Sequence, residues 1–263
     1  MKKLITLFLL LSNIFAFAQD ESKHVQLLEK STLNADVFVG YDKFDFLYFI
    51  KNNTLFKVKN GVSLEYKNVA LGQISKVDLL NPLKIIVFYQ RFNTVVTLDN
   101  QLNETLKINF SEIKTPLIIS KIGIASQNQL WVFDEITNQI YLCDTGNASL
   151  KSVGIPISDE IGFYNTNFNT FEWLNKNNDL YRTTVFGTVT ETTLYFEFDA
   201  ILFANNEVII YKKEQKIYAF YREKSTFMFI ENIDKTFKNL TYKNQILSIF
   251  TNQEITNYKI TIP

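Results

Sequence analysis

Ile74-Ser75-Lys76-Val77, followed after a short loop by Leu83-Lys84-Ile85-Ile86-Val87-Phe88, returns as Ile119-Ser120-Lys121-Ile122 and then Gln129-Leu130-Trp131-Val132-Phe133. Lys76 and Lys121 stand 45 positions apart. Both passages join β-branched and aromatic residues to polar boundaries, which is the chemistry of strands and turns. Working outward, the apolar strand recurs at 46–49, 85–88, 130–133, 171–174, 208–211 and 246–249. A polar turn and a third strand follow each copy, at 54–58, 94–98, 139–143, 179–183, 216–220 and 255–259. Their centres, near Phe56, Val96, Tyr141, Tyr181, Tyr218 and Asn257, advance by 40, 45, 40, 37 and 39 residues. A period near 40 with four short strands per unit is that of β-propeller blades; leucine-rich and β-helical coils are shorter, and helical repeats need a 3.6-residue pattern that is missing.

The composition of the strands agrees. The segment 83–89 and Val208-Ile209-Ile210-Tyr211 are apolar at nearly successive positions, so both of their faces are covered, as the middle strands of a blade sandwiched between two others must be. The 24 Phe and 13 Tyr residues are spread through all six units and suit the wedge-shaped gaps between blades. The sixth unit ends at Pro263 after its third strand, while 24–33 is left without a partner. Placing that N-terminal segment as the outermost strand of the last blade closes the ring and covers both loose edges. The expectation is an all-β, six-bladed β-propeller of four-stranded antiparallel blades, one domain over 19–263, with its faintest repeat around 227–242.

The N-terminus reads as an export signal. Lys2 and Lys3 precede a mostly apolar stretch at 4–17, and Ala16-Phe17-Ala18 is the small-x-small pattern of a cleavage site. The stretch is shorter than the roughly 20 apolar residues that cross a bilayer, and no later run is long enough. The expected signal peptide is 1–18, with an exported product in the periplasm or outside the cell, carrying no lipid anchor and no membrane span. Equal numbers of basic and acidic residues, 27 of each, exclude the usual strongly basic nucleic-acid binder. Cys143 is the only cysteine, so no internal disulfide forms, and its strand context marks it as a small core residue.

In its period and strand pattern, over nearly the whole mature chain, the sequence resembles the extracytoplasmic six-bladed β-propeller proteins of bacteria, broadly the NHL and TolB-like group. It departs from related patterns: it has no Trp-Asp blade ending, no kelch-type Gly-Gly pair, no Tyr-Val-Thr-Asn repeat and no repeated Trp docking motif. No family site motif matches, so the resemblance implies a fold and a compartment but no site residues.

Chemistry is sparse. His24 is the only histidine and falls in the proposed closing segment, away from any central site. Without His or Cys clusters no transition-metal site is expected, and no cofactor is implied. Asp134-Glu135 with Asn138, and Asp99-Asn100 with Asn103, could offer oxygens to calcium but read better as turns. The repeats place Asp36, Lys76, Lys121 and Asp199 at or within one position of the same point on the innermost strand, with Lys238 one step further. These are the candidates for lining a water-filled channel, either neutralising one another or holding a polar ligand. Lacking a nucleophile, base or metal constellation, the residues favour a non-catalytic, monomeric scaffold for another envelope or extracellular protein. The alternatives are a calcium-dependent hydrolase or lyase with its site in the channel, and a carbohydrate-binding module using exposed aromatics such as Trp173 or Tyr164. N-terminal sequencing of the exported protein is expected to begin at Gln19; a chain still beginning at Met1 in the exported fraction overturns the signal assignment.

Overall fold

The computed structural model describes residues 25–231, 233, 237–251 and 253–260. The expected signal peptide and His24 lie outside them. Strand β1 (Val25–Thr32) comes first. Blade 1 is β2 (Val37–Tyr41), β3 (Leu47–Lys51), β4 (Thr54–Lys59) and β5 (Val62–Tyr66); blade 2 is β6 (Lys76–Asp78), β7 (Ile85–Tyr89), β8 (Thr94–Leu98) and β9 (Glu104–Asn109). Blade 3 is β10 (Ile119–Ile124), β11 (Gln129–Asp134), β12 (Gln139–Asp144) and β13 (Leu150–Val153); blade 4 is β14 (Phe163–Thr166), β15 (Thr170–Leu174), β16 (Asp179–Thr184) and β17 (Val189–Thr193). Blade 5 is β18 (Ala200–Phe203), β19 (Val208–Lys213), β20 (Lys216–Tyr221) and β21 (Thr226–Ile230); blade 6 holds β22 (Asn239–Lys243), β23 (Ile246–Phe250) and β24 (Glu254–Ile260).

Six four-stranded antiparallel sheets result, and the sixth has the order β1-β24-β23-β22. The chain's first described strand therefore completes its last blade. Val25 pairs with Ile260 and Thr32 with Glu254, with one irregularity between Leu27 and Glu29. Directly after β1, the Leu33 amide donates to Gln253 O at 2.8 Å. The fold is the six-bladed propeller that the 40-residue period predicts.

The blades are held by the wedges between them. β7 and β8 are buried at every position, whereas β17 is exposed at every position. Apolar clusters fill the successive seams: Tyr48, Leu55 and Val87 between blades 1 and 2, Phe88, Phe110 and Ile122 between 2 and 3, and Trp131 and Phe171 between 3 and 4. Leu174, Ile209 and Tyr211 follow between blades 4 and 5, Ile210 and Leu247 between 5 and 6, and Phe38, Phe250 and Ile255 at the closing seam. Cys143 sits wholly buried in the second of these, where burial pushes its thiol up to about 11, away from thiolate chemistry.

One seam also carries charge. Glu172 on β15 is 1% exposed. It accepts from Arg182 Nε at 2.7 Å within its own blade and from Arg222 Nη1 at 2.6 Å across to blade 5. Burial raises the Glu172 carboxyl, but the hydrogen bonds and charges of Arg222 and then Arg182 outweigh it and leave the group below its ordinary value. Because the folded value is the lower one, the stabilisation is present above the unfolded value of 4.5 and is lost as pH falls through the lowered folded value. Glu172→Gln is expected to cost about 3–5 kcal/mol by leaving two guanidinium groups unbalanced in the seam. It is also expected to flatten the acid limb of stability in urea unfolding at several pH values. An unchanged acid limb removes Glu172 from the pH response.

Candidate functional site

The six innermost strands are edge strands, whose axis-side amides and carbonyls have no strand to pair with. Side chains from adjoining blades take that place. On β6, alternation puts Lys76 and Asp78 on one face, toward blade 3. Lys76 Nζ donates to Ile122 O at 2.9 Å and to Tyr164 Oη at 2.8 Å, and lies 4.0 Å from the centre of the Tyr164 ring. Tyr164 Oη donates to Ile122 O at 3.1 Å and accepts from Ile122 N at 3.2 Å. Asp78 accepts from Ile124 N at 3.0 Å through Oδ2 and from Leu80 N at 2.9 Å through Oδ1. Blades 2 and 4 thus clamp β10 from both sides. At the closing seam, Asn239 Nδ2 donates to Phe38 O at 2.8 Å and Lys243 Nζ reaches Tyr41 O at 3.4 Å.

Close approach needs small residues. A Cβ on Gly123 of β10 would stand 1.9 Å from Thr166 Oγ1 of β14, inside any permissible contact. Gly40 of β2 is required for its backbone instead: at φ +134° a side chain is strained, whereas a Cβ there would meet Thr241 Cγ2 at an ordinary 3.4 Å.

Around the axis lies a cavity of about 970 Å³. Its walls are the C-terminal ends of the innermost strands of blades 1, 2, 4 and 6 and the turns after them, with Ala204 and Asn205 from blade 5. β10 contributes none of the lining, since Lys76 and Asp78 lie against its edge. Lys43, Lys76 and Lys243 face the carboxylates of Glu29, Asp45 and Asp78, so the lining is neutral in sum. Among the described residues none of these lysines is within 4 Å of a carboxylate. Burial lowers the Lys243 ammonium, against the opposing pull of Asp42 and Asp45.

The five residues that the repeats align do not converge. Lys76 lines the cavity. Asp36 accepts from Asn52 N at 2.7 Å and Asp199 from Glu214 N at 2.6 Å, so each caps the turn between the second and third strands of its blade, at the opposite end from the cavity. Lys121 is half-buried on β10 and faces the loop that carries Glu160. Glu160 is held below its ordinary value first by the hydrogen bond and charge of Lys176, with Lys121 adding to them. Lys238 is exposed just before β22.

Reading the strands by periods of two would have added Asp78 to Lys76, and joined Asn239, Thr241 and Lys243. Glu172 was detectable as a lone acid in an apolar run facing an in-register arginine. Trp173 corrects an expectation: it is buried and stacked on Tyr181 at 5.2 Å, so it offers no face to a sugar. Tyr164 is half-buried, and its ring stacks on Phe171. The Asp99 carboxylate accepts from Gln101 N and Asn103 N, and the Asp134 carboxylate from Ile118 N and Thr137 N, as turn-forming residues do. Among the described residues no three His, Cys, Asp or Glu side chains converge as metal ligands.

No protein-family model matches the sequence, and no curated protein does. Solved structures do share the fold. A member of the DUF4221 family from Bacteroides vulgatus is 9% identical with a TM-score of 0.61, over 92% of this chain and 99% of that one. A catalytically inactive virginiamycin B lyase from Staphylococcus aureus, with quinupristin, is 11% identical with a TM-score of 0.60, over 90% and 100%. BBS1N in complex with ARL6DN is 10% identical with a TM-score of 0.56, over 85% and 78%. At such identities the likeness carries the six-bladed architecture and nothing about chemistry.

Gly123→Ala is expected to destabilise the ring by about 1–3 kcal/mol through overpacking against Thr166. Adding Thr166→Gly should recover most of that loss in thermal or urea unfolding. Equal stability of Gly123→Ala and the parent would show that β10 and β14 do not need their close approach.

Proposed function

We propose that this chain is an exported, non-catalytic binding propeller of the bacterial envelope, of the extracytoplasmic kind, which holds another envelope or extracellular protein on one loop face. The observation that carries the reading is a group of strongly exposed apolar side chains at one loop end of the ring. Strands alternate in direction, so the blade-to-blade connections and the turns between second and third strands emerge at the same end. Hydrogen bonds join the two sets: Glu135 N donates to Ile118 O at 2.8 Å, Ile157 N to Asn138 O at 2.7 Å, and Leu194 N to Asn178 O at 3.2 Å. At this end stand Val69 at 80% exposure, Ile136 at 73%, Ile155 at 80% and Tyr195 at 93%, with Phe92 and Ile118 about half exposed; Phe186 and Leu83 are exposed at the opposite end. Scattered apolar residues are ordinary on a surface, but so many large side chains on one rigid loop face suit a protein contact.

The charged groups nearest the axis support the non-catalytic part. Lys76 and Asp78 are committed to backbone atoms of β10, which leaves no convergent acid, base and nucleophile among the described residues. Among those residues no helix is long and apolar enough to cross a membrane.

The test is capture by the tagged mature protein from an envelope extract, compared with Ile136→Asp/Ile155→Asp. A partner retained at stoichiometric level by the parent and lost by the double variant, at unchanged thermal midpoint, is the expected result. Equal retention by both proteins assigns the contact elsewhere, and retention of no partner by the parent overturns the scaffold reading.

A further inference from the structure

The closing seam is built unlike a plain apolar wedge. The side of blade 6 that faces blade 1 begins with an apolar row, Phe250 beside Ile255, packed on Phe38. The next row in register is wholly polar: Thr241 opposite Ser248, Ser248 opposite Asn257, and Asn257 opposite Glu29 on β1. All four line the axial cavity, together with Tyr41 from blade 1. The cavity therefore runs sideways from the axis into a slot between the last blade and the first.

Inside this slot one polar group is left over. Asn257 Nδ2 donates to Tyr41 Oη at a long 3.4 Å, while Asn257 Oδ1 is buried without a partner. Turning the amide over exchanges the two ends and still leaves one of them unanswered, because Tyr41 supplies a single hydroxyl. An unpaired buried amide group costs about 1–3 kcal/mol. Nearby, Lys243 has among the described residues a single 3.4 Å contact, with Tyr41 O, so further N–H donors remain available there.

We propose that the slot between blades 6 and 1 is a binding site for a neutral, polyhydroxylated ligand, a mono- or disaccharide, with Asn257 and Ser248 as its central contacts and Lys243 and Glu29 at its flanks. The ligand class follows from the wall. Thr241, Ser248 and Asn257 in the row can each donate and accept, as a sugar hydroxyl can, so a sugar can meet Asn257 in either orientation. Three lysines against three carboxylates in the lining give no net field to select an anion or a cation. The axial cavity into which the slot leads has a volume of about 970 Å³, within the range of small-molecule pockets. The slot opens at the end of the ring opposite the apolar loop face, so occupancy here and protein capture there are separate properties.

The test is titration calorimetry and ligand-observed NMR on the full mature protein. The probes are glucose, galactose, N-acetylglucosamine, cellobiose, lactose and chitobiose at millimolar concentration, with inorganic phosphate and putrescine as charged controls. Saturable binding of at least one sugar is expected, weakened about tenfold or more by Asn257→Ala and by Ser248→Val, and not competed by phosphate or putrescine. Asn257→Leu combined with Tyr41→Phe is expected to abolish binding while raising the unfolding midpoint of the ligand-free protein, since together they remove the unanswered amide and the hydroxyl that meets it. No binding by any of the six sugars overturns the assignment. So does binding that survives Asn257→Ala and Ser248→Val, competition by either charged control, or a fall in midpoint for the Asn257→Leu/Tyr41→Phe variant, which would make the amide a structural group.

Discussion

Six strands meet around the axis with one unpaired edge each, and each edge carries backbone groups that cannot be left dry without a partner. A sheet answers this need with another strand, but at the centre of a propeller there is no room for one. Here the answer comes from side chains. Lys76, Asp78 and Tyr164 satisfy the edge of β10, and Asn239 and Lys243 satisfy that of β2. Such staples work only if neighbouring strands come close, hence Gly123 opposite Thr166. Charge near the axis is first of all a consequence of how the ring is assembled.

The staples are not evenly shared, and that inequality shapes the cavity. β10 is gripped from both sides and contributes nothing to the cavity wall, whereas β2, β6, β14 and β22 leave their C-terminal ends open to it. The opening lies at the end where first and second strands join. At the other end Asp36 and Asp199 are consumed in capping turns, among exposed side chains that include Val69, Ile136, Ile155 and Tyr195.

Most of this architecture was legible in the sequence. The wedge demands middle strands that are apolar on both faces, and runs such as Ile85-Ile86-Val87-Phe88 state that requirement without reference to distant residues. The closing strand was legible too, because an unmatched segment at one end and a missing strand at the other imply each other. The site was legible only in part, for a geometric reason. Lys76 and Lys121 occupy equivalent places in the repeat and pair with equivalent residues, Phe88 and Phe133, so both turn the same way from their strands and differ only in what the neighbouring blade offers. Lys76 meets Ile122 O and the Tyr164 hydroxyl, whereas Lys121 lies near Glu160. Glu172 escaped for a different reason: within an apolar run its burial depends on two arginines, one of them 50 residues away.

Ring closure and cavity are one structural event. Glu29 belongs to β1 and Asn257 to β24, the first and last described strands, and they become neighbours only when those strands pair. Tyr41, which completes the slot from blade 1, comes into place when the Phe38, Phe250 and Ile255 seam forms. Apolar residues at both 257 and 41 would serve that seam better, since neither an amide end nor the Tyr41 hydroxyl would then be left unpaired. Keeping an asparagine there weakens the joint on which the whole ring depends, at the place where the cavity enters the seam. A polar group that works against stability, in the wall of a hollow of ligand size, is the kind of local inconsistency that marks a recognition surface.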